Sequence, residues 1–61
     1  MHYRLVVIGN DGGSEEMFPK RNEKLHNRVK GLKELYGKEK FRTNVRLERH
    51  FKNGKVAMVR L

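Results

Sequence analysis

Residues 41–61 read FRTNVRLERHFKNGKVAMVRL. Two runs of alternating apolar and polar residues flank Asn53-Gly54, a dipeptide that favours the tight turn of a β-hairpin. Two registers compete. A two-residue loop at Asn53-Gly54 opposes Phe51 to Val56 and Leu47 to Arg60, which throws Ala57, Val59 and Leu61 onto the charged side. A three-residue loop, Lys52-Asn53-Gly54 with Gly54 left-handed, opposes Arg49 to Ala57, Leu47 to Val59 and Val45 to Leu61. One face then gathers Phe41, Val45, Leu47, Phe51, Ala57, Val59 and Leu61. A slip of one residue turns every side chain over, so the apolar pattern selects the three-residue loop, with the turn at 52–54.

Upstream of the hairpin, Leu25, Val29, Leu32 and Tyr36 recur at spacings of 4, 3 and 4, which is one face of a helix. Phe18 extends that stripe and Leu35 lies beside it. Pro19 suits a first helical position, where a missing N–H costs nothing, and Gly37 suits the position just past a helix end. The main helix is therefore expected over 19–36. Ser14 to Phe18 reads as a capped helical turn, with Ser14 as cap and Glu15 and Glu16 following it. Leu5 to Ile8 is a short continuous apolar run and predicts a first strand over 3–8. Gly9-Asn10-Asp11-Gly12-Gly13 is a turn cluster between strand and helix.

The order is then β-α-β-β. The expected fold is a two-layer α+β domain, one helix on a three-stranded sheet, with all residues 1–61 in one domain. A right-handed crossover joins the first two strands. The apolar run VAMV at 56–59 argues for placing the last strand in the middle, order 1-3-2, with 3-2-1 as the alternative.

Charge narrows the function classes. The chain has 15 Lys and Arg against 7 Asp and Glu, a net charge of +8. Residues 1–19 carry one cation and three acids, whereas residues 20–61 carry fourteen cations and four acids. A basic body behind a slightly acidic first loop is the footprint of a polyanion binder. There is no cysteine, so disulfides and cysteine-zinc sites are excluded. No apolar run approaches the roughly 18 residues of a membrane helix. A cytoplasmic protein with no membrane partner is expected.

With the helix over the Leu47 and Val59 face, the opposite face would hold His2, Arg4, Val6, Ile8, Arg46, Glu48, His50, Val56, Met58 and Arg60. That is an apolar centre rimmed by Arg4, Arg46, His50 and Arg60. Three occupants fit such a face: nucleic acid (DNA or RNA), an acidic protein surface such as that of RNA polymerase or a nuclease, or a second copy in a homodimer. The candidate contact residues are Arg4, Arg46, Arg49, His50, Lys52, Lys55, Met58 and Arg60. All rings are expected to face the core or continue the helix stripe, which favours duplex or backbone binding over base stacking. The hairpin ribbon, with Arg49, Lys52, Asn53 and Lys55 at its tip, has the shape to enter a major groove.

Catalytic signatures are missing. Gly9 to Ser14 matches neither a dinucleotide fingerprint nor a phosphate-binding loop with its lysine. His2, His26 and His50 lack metal-ligand spacing, so neither a metal nor a cofactor is expected. Glu48 among arginines reads as a cross-strand ion-pair partner. The leading expectation is a small basic nucleic-acid-binding protein, a transcription-related regulator and not an enzyme. A protein-docking regulator or inhibitor is the alternative.

Overall fold

A computed structural model describes residues 1–9 and 12–61. The elements are β1 (His2–Gly9), β2 (Gly12–Phe18), α1 (Glu23–Asn44), β3 (Val45–His50) and β4 (Val56–Val59). The fold is α+β, with one antiparallel four-stranded sheet in the order β2-β1-β3-β4.

The sheet has one more strand than expected. Residues 12–18 pair along the whole of β1, from Tyr3 opposite Phe18 to Gly9 opposite Gly12. Ser14 therefore caps no helix; it lies opposite Val7 in the ladder. The segment GGSEEMF is rich in residues depleted from strands. It is extended because β1, with its apolar run Leu5 to Ile8, supplies a template. Of the expected loop at 9–13, the three glycines are in strands, and Asn10 and Asp11 lie outside the described residues.

The helix is displaced towards the C-terminus. It begins at Glu23, not Pro19, because Asn22 is its cap: the Asn22 side chain accepts from Leu25 N–H at 3.1 Å. It also runs past Tyr36. Gly37 interrupts it at φ 79°, ψ 170°, a conformation essentially confined to glycine, and helical turns resume to Asn44. Phe41 and Thr43 are thus helical, and the first residue of β3 is Val45, whose N–H closes onto the Phe41 carbonyl. The kink at Gly37 lets Phe41 enter the core, where it is 4% exposed.

The strand order also differs from the favoured one. β3, not β4, lies inside the sheet, next to β1, so the alternative 3-2-1 order describes these three strands. β1 and β3 are antiparallel, so no crossover of the parallel type links them directly. The chain instead passes from β2 over α1 to β3, on the far side of β1. β4 is an edge strand, and Val56, Ala57 and Met58 are exposed.

The hairpin register is that of the three-residue loop. Leu47 lies opposite Val59 and Arg49 opposite Ala57. Gly54 has φ 89°, and its N–H donates to the Phe51 carbonyl at 3.1 Å while Phe51 N–H donates to the Lys55 carbonyl at 2.9 Å. The ladder stops at Val59, so Leu61 does not pair with Val45 and is 41% exposed. Phe51 is 36% exposed and is not part of the core.

α1 packs on the face formed by Tyr3, Leu5, Val7, Val45 and Leu47. Leu25, Leu32 and Phe41 supply the helix side, with Phe18, Val29, Tyr36 and Val59 around the margin. Each fully buried aliphatic side chain contributes roughly 1.5–3 kcal/mol. Leu5 and Leu47, opposite one another in the two central strands, are fully buried and anchor this layer.

Candidate anion-binding surface

Cross-strand register assigns the uncovered face. His2, Arg4, Val6 and Ile8 of β1 share it with Arg46, Glu48 and His50 of β3. Val56 and Met58 of β4 complete one side, and Glu15 and Met17 of β2 the other. The contribution of β2 could not be foreseen without knowing that residues 12–18 form a strand.

That added strand changes the electrostatics of the centre. Arg4 donates to Glu15 and also lies 3.7 Å from Glu48. The hydrogen bond to Glu15, against a desolvation cost and with the charges of Glu15 and Glu48 assisting, holds the Arg4 guanidinium above its usual pKa. His50 Nε2 lies 3.1 Å from Glu48 Oε1, and the His50 ring stacks on His2 with centroids 4.7 Å apart. Arg4 and His50 are thus both engaged by acids of the same face. The Arg4 Nε is buried without a hydrogen-bond partner among the described residues.

Arg49 stands on the other face. Its guanidinium lies 5.0 Å from the Phe51 ring and 6.0 Å from Tyr3, and its Nε donates to Met1 Sδ at 3.2 Å. It covers apolar surface at the hairpin base, a cation-π role, and does not join Arg46 and His50. Lys52 and Lys55 are exposed at the hairpin turn. Met58 is 60% exposed beside Glu48.

Arg46 and Arg60 meet a residue outside the expected set. Where the chain leaves β4 after Val59, it opens a hollow of about 580 Å³ against α1 and the start of β3. Arg42 from the last turn of α1, Arg46 from β3 and Arg60 line it. Val59, Met58 and Leu61 form its apolar wall, over Phe41 and Val45. A second hollow of about 380 Å³ shares Phe41, Arg42 and Leu61 with the first and adds Lys33 and Lys38. No carboxylate side chain lines either hollow, and none of these five cations forms an ion pair among the described residues. Lys33 Nζ also sits 6.0 Å from the Phe41 ring. The sequence signal for this corner was the glycine at 37. Once the helix resumes beyond it, Arg42 leaves the strand and joins Lys33 and Lys38 on α1.

Among the described residues no group of three or more His, Asp or Glu can hold a metal ion. No helix among them is long and apolar enough to cross a membrane. Comparisons with protein-family models, curated proteins and solved structures find no match for this chain.

Proposed function

We propose that this chain is a small nucleic-acid-binding domain, a transcription-related regulator that acts by binding and not by catalysis. The observation that carries this reading is the segregation of charge. Arg4 on the open face of the sheet is paired with Glu15 and Glu48, while Arg42, Arg46 and Arg60, with Lys33 and Lys38 beside them, converge on two adjoining hollows without an acidic side chain. Phosphate oxygens suit an unpaired arginine cluster, since each guanidinium can donate two parallel hydrogen bonds to them, as it can to a carboxylate. Lys52 and Lys55 at the hairpin turn add long-range attraction.

The test is binding of labelled DNA and RNA as a function of salt. Engagement of three to five phosphates predicts that affinity falls between about 50 and 200 mM salt by roughly 20- to 130-fold for a single strand and roughly 40- to 500-fold for a duplex. Absence of binding to DNA and RNA alike at low salt overturns the reading.

Docking on an acidic protein surface, such as that of RNA polymerase or a nuclease, draws on a different observation. Val56 and Met58 are more than half exposed on an edge strand flanked by Lys55 and Arg60. Arginine and methionine are common in protein interfaces. Retention of one dominant host protein from nuclease-treated lysate favours this second reading; loss of the retained material with the nucleic acid favours the first.

A further inference from the structure

Resting on that nucleic-acid reading, we infer that the Arg42, Arg46 and Arg60 hollow is a seat for one unpaired strand and that duplex is the poorer ligand. Shape is the first argument. The cations come from α1, from β3 and from the segment that follows β4, and all three line one concavity, where a flat or convex surface would instead offer them side by side. Its volume of about 580 Å³ falls in the range of about 300–1,000 Å³ that holds small ligands. A nucleotide unit with its flanking phosphates is of that scale. A duplex is convex, and its two backbones are separated by grooves about 6 and 12 Å wide. It can lay phosphates on the rim but cannot fill the hollow.

The wall is the second argument. Met58 is 60% exposed and Leu61 41% exposed, and both line the same hollow as the three arginines. An unpaired nucleotide offers phosphate to the arginines and a sugar or base face to the aliphatic wall. A duplex keeps its base faces stacked inside, so Met58 and Leu61 would gain little. Phe41, the one ring in the wall, is 4% exposed, so base stacking on a ring is not the source of affinity, which rests on phosphate contacts and aliphatic packing. The cationic lining also continues beyond the hollow. The adjoining hollow shares Arg42 and Leu61 and adds Lys33 and Lys38, which extends the phosphate path along α1 beyond a single unit.

The hairpin turn, expected from sequence to serve a duplex, sits at the opposite end of β4 from Arg60. The two cationic sites can therefore be reversed separately. The experiment measures fluorescence anisotropy with a short labelled oligothymidylate and a mixed-sequence duplex of the same length, with free thymidine monophosphate as competitor. It uses the intact chain and two charge-reversed variants, Arg46→Glu/Arg60→Glu and Lys52→Glu/Lys55→Glu, which alter net charge equally. Thermal melts establish that each variant is folded, and Gln replaces Glu in both variants if either is not. The inference expects the oligothymidylate to bind about tenfold tighter than the duplex. It expects the arginine variant to lose about tenfold or more in that affinity, and the turn variant less than about threefold. Tighter binding of duplex, or an equal or larger loss in the turn variant, overturns the single-strand seat and leaves the nucleic-acid reading standing. Competition by the monophosphate as strong as by unlabelled oligothymidylate also overturns it, in favour of a free-nucleotide site. Failure of DNA and RNA alike to bind at low salt removes both.

Discussion

The backbone N–H of Gly54 donates to the carbonyl of Phe51 at 3.1 Å, and Gly54 holds φ 89° to do so. That contact sets a three-residue turn, and the turn sets the register of Leu47 against Val59. Nothing lies within 4 Å of a Cβ added at Gly54, so the cost of a side chain there is conformational alone. Gly54→Ala is expected to lose about 1–2 kcal/mol in urea unfolding, and Gly54→Asn less, because asparagine tolerates the left-handed region. An unchanged midpoint for the alanine variant would contradict the turn.

Two glycines of α1 should respond to the same substitution with opposite signs. Gly31 is exposed in the regular part of the helix and has open space around it. Gly31→Ala should stabilise the protein by about 0.5–1 kcal/mol. Gly37 also has open space, but its φ of 79° and ψ of 170° exclude other residues. Gly37→Ala should destabilise by about 1–3 kcal/mol. Straightening the helix offers no escape, since it would withdraw Phe41 from the core. Thermal melts of the two variants side by side provide the comparison.

Asn22 holds the start of the helix through its bond to Leu25 N–H. Asn22→Ala is expected to cost about 1 kcal/mol, whereas Asn22→Asp and Asn22→Ser should stay close to the parent. A loss for all three replacements would show that the side chain acts through something other than capping.

The β4 edge offers a test of which backbone groups face outward. Phe51 pairs with Lys55 through a direct N–H to carbonyl bond, and antiparallel pairs alternate between bonded and non-bonded. Arg49 and Ala57 are therefore a bonded pair, while Glu48 and Met58 are not. Ala57→Pro deletes a ladder bond and should cost about 1–3 kcal/mol for the orphaned Arg49 carbonyl, with added strain. Met58→Pro removes only an outward N–H and should be tolerated far better. Amide hydrogen exchange provides the parallel readout: Ala57 should be protected and Met58 fast.

Reversal of Glu15 addresses the central network. Glu15→Lys would set a like charge against Arg4 on the diagonal between β1 and β2, since Glu15 lies opposite Val6, and leave the guanidinium to Glu48 alone. A lower melting temperature is expected, with the deficit shrinking as salt rises, because part of the pair is solvent-exposed. A deficit that salt does not change would place the defect in packing.

Several features of this fold were readable from local pattern. The apolar positions of β1, the turn at 52–54 and the pairing of Leu47 with Val59 follow from alternation and from one glycine's conformational freedom, properties carried by neighbouring residues. The stripe of Leu25, Val29, Leu32 and Tyr36 likewise marks the face of α1 that meets the sheet. β2 was not readable, because Gly, Ser and Glu do not favour a strand and the segment extends only against the free edge of β1.

The site divides along the same line. Arg46 and Arg60 could be placed from the hairpin alone. Two other facts needed the assembled sheet: that Glu15 reaches Arg4, and that Arg42 joins the two arginines instead of standing with Phe41 on a strand. The sequence by itself determined which residues are apolar, where the chain turns and how strongly the body is charged. Tertiary structure alone decided which cations remain unpaired, because pairing depends on side chains far apart in the chain whose distances arise only once the strands are ordered.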